Sequence, residues 1–527
     1  MANLLISIAP IILLIWMMTK KKAIPSNIAL PLTALLVGII QLFYFDADIM
    51  PVVASAIAGA LSAITPISII AGAILLNRTI SLSGAEAVIK RWLEGVSRNQ
   101  IAQLMIIGWA FAFMIEGASG FGTPAAIAAP ILVGLGFPAL RVAMLALIMN
   151  SVPVSFGAVG TPTWFGFSGL GLSEHDLLEI GRTSALLHTV AAVFIPVIAL
   201  SFVVSWKSIL RNIIFIQLSI FSCTLPYLAF AQWNYEFPAL IGGAIGLTIS
   251  IILARLNIGM EPKPLKEKEQ QERIPTAEIF KAMSPTLLLI AILIITRIQQ
   301  LGIKQLLTDS TQLFTIQLGH FAEFSVSNAL ILKLSHILGT ETSWAYKTLY
   351  VPALIPFLLV VLVSALVFKM SKQQLGQAFT ETGQRIKTPF IALVGALIMV
   401  KFMMMGDANS PIMTTGLALS ELLGTSWQYF ASYLGALGAF FSGSATVSNL
   451  TFGGIQQTIA QTVGLPQNLI LALQSVGGSM GNMVCINNII AVSTILGLTN
   501  KEGYIIKRTV IPMVLYGVFV ALVSSVI

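Results

Sequence analysis

Apolar residues run through this chain in long uninterrupted blocks, not in the one-sided stripes of a soluble helix. The clearest blocks are Ile28–Phe45, Pro51–Leu76, Arg182–Ser205, Ile213–Ala231, Pro238–Leu256, Ser284–Leu301, Thr348–Phe368, Pro389–Met405 and Thr509–Ile527. About 20 such residues cross a bilayer as a helix. Barrel strands are shorter, about 10 residues with strict alternation. The blocks therefore predict an all-α polytopic membrane protein. Its N-terminal apolar run has no basic residue ahead of it, and Lys20, Lys21 and Lys22 follow it. That order predicts a retained first helix, not a cleaved signal peptide.

Two stretches depart from the block pattern in the same way. The first is a hairpin over residues 101–136: an apolar arm to Ile115, a tip Glu116-Gly-Ala-Ser-Gly-Phe-Gly-Thr-Pro124, and a second arm to Gly136. The second, over residues 427–464, has arms Trp427–Phe441 and Ile455–Val463 around the tip Ser442-Gly-Ser-Ala-Thr-Val-Ser-Asn449. Neither arm reads as long enough to cross, and a polar tip at membrane depth is tolerated only inside protein or against a water-filled cavity. Each hairpin is followed by a helix expected to break, one over 141–168 at Asn150–Gly157 and one over 467–497 at Gln474–Asn482. Aligning Ser151 with Ser475 also aligns Ser155 with Ser479 and Gly157 with Gly481. This is a weak internal repeat that agrees in spacing and in chemistry.

Charge turns the repeat into a topology. Only 9% of the 527 residues are charged and mean hydropathy is +0.90, where soluble proteins carry roughly a quarter charged. Placing Lys20–Lys22 in the cytoplasm puts 23 of the 29 Lys and Arg inside and five outside, with Lys401 left within an apolar run. Short loops rich in Lys and Arg stay cytoplasmic, which also accounts for the +8 net charge without nucleic acid. The path predicts about twelve transmembrane helices plus the two re-entrant hairpins, with both termini outside. A first half, 1–256, is joined by a cytoplasmic linker, 257–281, to a second half, 282–527. The hairpins then enter from opposite sides, as two inverted repeats. Inverted repeats with broken helices are the build of many secondary transporters, which bind substrate and ions near the bilayer midplane.

Few groups in such a chain can do chemistry. Glu116 is the carboxylate that this topology places at membrane depth, and a charge there costs roughly 2.5–3.5 kcal/mol on insertion scales. It either binds the coupling proton or is a structural carboxylate that accepts N–H bonds from the hairpin tip. Single glycines in apolar helices usually serve close packing, and Ser or Thr commonly bond back to their own helix. The coincidence of two tips and two breaks nevertheless selects a substrate-binding set. Ser119, Gly120, Thr123, Ser444, Thr446 and Asn449 come from the tips, and Asn150, Ser151, Ser155, Gln474, Ser475, Ser479 and Asn482 from the breaks. Lys401 reads as snorkelling or paired with Asp407, and Arg78 as a topology anchor. Gly84–Ser97 mixes apolar and charged residues as an interfacial helix does, with Ile412–Leu423 as its counterpart. Residues 302–347 form the sizeable soluble portion and carry no informative pattern. His175, His188, His320 and His336 lack metal-ligand spacing. Cys223 and Cys485 sit in apolar stretches as core residues, so no metal and no cofactor is expected. No nucleophile or acid–base set points to an enzyme.

The motifs Glu-Gly-Ala-Ser-Gly-Phe-Gly-Thr-Pro (116–124), Val-Gly-Leu-Gly-Phe (133–137) and Asn-Ser-Val-Pro-Val-Ser-Phe-Gly-Ala-Val-Gly-Thr-Pro (150–162) resemble the lactate permease family of bacterial carriers. Gly-Ser-Ala-Thr-Val-Ser-Asn (443–449) and Gly-Gly-Ser-Met-Gly-Asn-Met (477–483) are similar to that family's second repeat. The resemblance implies uptake of L-lactate, D-lactate or glycolate with protons across the bacterial inner membrane. The chain departs from the family at Ala445, where an Asp is usual, and at Asn482, where a Lys is usual. An acid and a base are replaced together, which keeps charge balance and leaves proton and sodium coupling both open. A carrier of another organic anion such as a dicarboxylate, or a sodium/proton exchanger, is the alternative. A membrane-embedded enzyme and a channel fit less well, and a homo-oligomer is left open.

Overall fold

The computed structural model describes residues 2–20, 24–120, 123–261, 274–296, 301–351, 354–406, 409–498 and 501–527. Among them ten helices are long and apolar enough to cross a membrane, or eleven when the bent pair Ala139–Met149 and Pro153–Trp164 counts as one. Asn3–Met18, Ile355–Val367 and Ala431–Phe440 are apolar but shorter. The chain divides into two compact units. One is Met1–Glu86 with Lys281–Ala418, the other Ala87–Phe280 with Leu419–Ile527. Each unit draws one segment from the N-terminal half of the sequence and one from the C-terminal half.

The first unit is built round a 32-residue helix, Lys372–Met403, opened by a capping box between Ser371 and Gln374. At 1.5 Å per residue it is about 48 Å long, so its polar N-terminal part extends well before the apolar block at Pro389. Arg78 Nε pairs there with Glu381 Oε2 at 2.6 Å, which gives Arg78 a partner as well as its place at a span end. The apolar part packs against Ser26–Phe43 and Ile49–Ser62. A Cβ on Gly395 would stand 2.5 Å from the Pro31 nitrogen. Such close backbone approach supplies the packing energy that lipid-soluble helices cannot gain from hydrophobic burial. Lys401 is exposed, as snorkelling requires, while Asp407 lies outside the described residues.

Residues 302–347 correct the expectation of an uninformative segment. They contain an antiparallel meander, β1 (Gln312–Gln317), β2 (Glu323–Ser327), β3 (Ile331–Ser335) and β4 (Trp344–Lys347), in the order β1-β2-β3-β4. Ala322, Leu334 and Ile337 bury against Ala54 and Ala58 of the Ile49–Ser62 helix. The signal was the apolar–polar alternation of Leu332-Lys-Leu-Ser335, too short to stand out among membrane blocks.

The second unit carries both hairpins. Its first arm is a continuous 20-residue helix, Gln100–Ser119, with a π-helical stretch at Leu104–Phe111. That corrects the expectation that the arm is too short to cross. The arm ends at Gly120, ahead of the helix Thr123–Gly134. Ala431–Ser442 turns through Gly443 into Ala445–Val463. Both turn glycines hold positive φ, +58° at Gly120 and +74° at Gly443, a conformation that glycine adopts without a steric cost.

Candidate functional site

The helix Ala139–Met149 stops because Pro153 brings no N–H for the Met149 carbonyl and its ring crowds that carbonyl. The next stretch, Pro153–Trp164, opens with a 3-10 segment, Pro153–Phe156, and is bent by 59° from Ala139–Met149. Ala158, Val159 and Gly160 are all left-handed, at φ 44°, 56° and 70°. For a β-branched valine that is a strained state, on the order of 1–3 kcal/mol. Side chains take up the freed backbone groups: Ser151 Oγ donates to the Ile148 carbonyl at 2.7 Å, and Thr163 Oγ1 to the Ser155 carbonyl at 2.8 Å.

The Glu116 carboxyl lies against this break. Asn150 Nδ2 donates to Glu116 Oε2 at 3.0 Å, and both side chains are buried. A Cβ on Gly157 would stand 2.3 Å from Glu116 Oε1, so the absence of a side chain there makes room for the carboxyl. Among the described residues Glu116 has no ion-pair partner, and Asn150 Oδ1 is a buried acceptor without a hydrogen bond. Among the described residues the hydrogen-bond donor to the Glu116 carboxyl is the Asn150 amide of the break.

The two hairpins make parallel contacts. Gly120, at the first tip, faces Ala158 in the first break, where an added Cβ would meet the alanine Cβ at 2.9 Å. Gly443, at the second tip, faces Cys485 Sγ and the Asn487 side chain, each 3.2 Å from where its Cβ would be. Each second arm also packs against the far part of the other broken helix. Asn449 Nδ2 donates to the Pro162 carbonyl at 2.9 Å, and Thr123–Gly134 packs on Ile486–Ile495.

The second broken helix differs from its expectation. Gln467–Gly481 is regular across Gln474–Gly481, and the irregular turn comes later, at Asn482–Val484. The glycines there serve packing. Added Cβ atoms on Gly477 and Gly481 would stand 2.0 Å from the Ser432 carbonyl and 2.3 Å from that of Ala436. Asn482 Oδ1 accepts from Asn488 Nδ2 inside the turn. Gln474 is committed to an amide string: Gln456 Nε2 donates to Gln474 Oε1 at 2.8 Å, and Gln474 Nε2 to Ser448 Oγ at 3.0 Å and Asn449 Oδ1 at 3.3 Å. Trp427 Nε1 closes it on Gln456 Oε1 at 2.6 Å.

Ser155, Ser475 and Ser479 come together, as hydroxyls in one buried cluster. Ser155 Oγ is 2.9 Å from Ser475 Oγ and 2.8 Å from Ser479 Oγ. His188 joins them, its Nε2 2.8 Å from Ser155 Oγ and its Nδ1 2.5 Å from Tyr516 Oη. The local mark of His188 in the sequence is its place inside the apolar block Arg182–Ser205, while its partners come from distant helices. Ser119 Oγ donates back to the Ile115 carbonyl at 3.0 Å, and Ser444 caps its helix by accepting from Val447 N at 3.3 Å. Thr446 is buried in the first turn of that helix. Thr123 opens the second arm, and its side chain lies outside the described residues. Elsewhere, ligand atoms of His175, Asp176 and Glu179 come within 4.8 Å of one another, but the two acids are engaged by Asn468, and Asp176 also by Ser173.

Long apolar helices, two tight hairpins and a broken helix closed on a buried carboxyl define a multi-pass membrane protein. The chain belongs to the L-lactate permease family, whose model matches residues 3–527. A relative from Haemophilus influenzae is 53% identical over 99% of this chain and 98% of its own length. An L-lactate permease of Bacillus subtilis is 28% identical over 96% of this chain and 93% of its own. A glycolate permease of Escherichia coli is 26% identical over 92% and 88%. The resemblance read from the hairpin motifs thus extends along the whole chain, and the protein is a multi-pass protein of the bacterial inner membrane.

Proposed function

We propose that this protein is a secondary transporter that imports a small monocarboxylate of the L-lactate and glycolate class together with a cation, which we take to be the proton. The relatives named for L-lactate and glycolate supply the substrate class. One observation carries the mechanism: Glu116 is buried across the first break from Asn150, with an amide donor and no counter-charge among the described residues. Burying an uncompensated carboxylate is expensive, and one proton removes the charge. Glu116 is then the coupling group, and the matching contacts of the two tips support reading the two hairpins as repeats of one motif.

The substrate carboxylate sits at the two tips, where Thr123–Gly134 and Ala445–Val463 begin. Helix starts offer unpaired N–H groups and a positive dipole end. Ser119, Ser444 and Thr446 stand beside these starts, so they are the proposed direct contacts. Asn449 and Gln474 are engaged in the amide string and Ser155, Ser475 and Ser479 in the hydroxyl cluster, and in this mechanism they shape the walls and do not grip the anion. Neutral donors suit a substrate that must also leave.

Sodium coupling is the second reading, because the unpartnered Asn150 Oδ1 beside a carboxyl is oxygen chemistry that a sodium ion can use. Uptake of labelled L-lactate into proteoliposomes, with proton and sodium gradients imposed in turn, separates the two. Accumulation under the proton gradient alone is the expected result. Accumulation under sodium alone moves the coupling to that ion, and no uptake under either removes the substrate assignment.

A further inference from the structure

His188 is a buried imidazole on Glu174–Ala192 whose two nitrogens both meet hydroxyls from other helices. Nδ1 faces Tyr516 Oη of Glu502–Ser524, and Nε2 faces Ser155 Oγ in the first break. Ser155 Oγ in turn meets Ser475 and Ser479 on Gln467–Gly481. A neutral imidazole has one donor and one acceptor on opposite sides, so it satisfies both hydroxyls at once. Two residues after Ser155 comes Gly157, the position that faces the Glu116 carboxyl. We propose that His188 is a positioning residue: acting through Ser155, it clamps the first break to the Gln467–Gly481 helix and so holds Gly157 and Asn150 at Glu116. The inference rests on the reading of Glu116 as the coupling group.

The two ring nitrogens can be tested one at a time. In His188→Gln the amide reaches the place of Nε2 and keeps the bond to Ser155; in His188→Asn it takes the place of Nδ1 and keeps only Tyr516. Proton-driven uptake of labelled L-lactate should stay within about threefold of wild type in His188→Gln and in Tyr516→Phe. In His188→Asn and Ser155→Ala it should fall about tenfold or more, as the loss of a buried hydrogen bond implies. A role in packing alone would affect the Gln and Asn variants alike, and equal loss or equal retention in the two overturns the proposal. Should His188→Asn not fold, Ser155→Ala, which removes one oxygen, decides in its place: wild-type uptake in that variant overturns the proposal. Hydrogen exchange over residues 150–157 reads the clamp without transport, and faster exchange in His188→Asn than in His188→Gln is expected. If the wild type carries no lactate, the proposed function fails, while the exchange comparison still decides whether His188 holds the break.

Discussion

Asn150 gives one amide hydrogen to Glu116, and its oxygen receives nothing in return. That asymmetry supports the proposed site more firmly than burial does, since buried acceptors are nearly always satisfied. Asn150→Ala would strip Glu116 of its donor and leave a small void. Gradient-driven uptake should fall about tenfold, with thermal unfolding lowered only modestly, by roughly 1–3 kcal/mol for one lost buried hydrogen bond. Uptake at the wild-type level would show that the amide is incidental. At this scale the sequence discloses some residues and hides others. Glu116 stands out as a lone acid in an apolar arm, and Asn150 as a polar residue where a helix falters. His188 shows only as a histidine inside an apolar block, and its partners stay hidden, because Ser155 and Tyr516 lie 33 and 328 positions away and only packing brings them to the ring.

Among the elements, the first break is the one the sequence marks well, through Pro153 and Gly157. The second was misplaced for a physical reason. Gly477 and Gly481 look like breakers but are the points where two helix backbones touch, and a one-dimensional reading cannot separate those uses of glycine. The first break yields a paired prediction. In Gly160→Ala, a Cβ would stand 2.1 Å from the Tyr235 carbonyl at φ +70°, so backbone must move. That variant should fail to give monodisperse protein or should melt markedly lower. In Gly157→Ala the nearest atom is the tip of the Glu116 side chain, which can swing away. This variant should fold near wild type yet lose proton-driven uptake. Normal uptake in Gly157→Ala would separate the break from the carboxyl.

Seen whole, each half of the chain contributes to both compact units. Hydropathy made the membrane class and most spans legible, because lipid demands long apolar helices whatever the tertiary arrangement. It could not reveal the β1–β4 meander, whose strands are too short to register among membrane blocks. Asp309, just ahead of β1, has its carboxyl held below the usual range by hydrogen bonds from Thr311 and Asn328. A depressed carboxyl adds stability above its unfolded value, and that stability is lost as pH falls through the folded value. Proteolysis near residues 309–328 should therefore quicken in acid, and less so in Asp309→Asn; equal acid sensitivity in both would contradict it.

The coupling role of Glu116 is tested most directly by Glu116→Gln in proteoliposomes, because a glutamine oxygen can still accept from Asn150 while binding no proton. Two rates are compared: exchange of labelled against unlabelled L-lactate, and uphill accumulation driven by a proton gradient. Exchange near the wild-type rate with accumulation abolished is the predicted result. Accumulation at the wild-type level would contradict it, and the coupling site would have to be sought elsewhere.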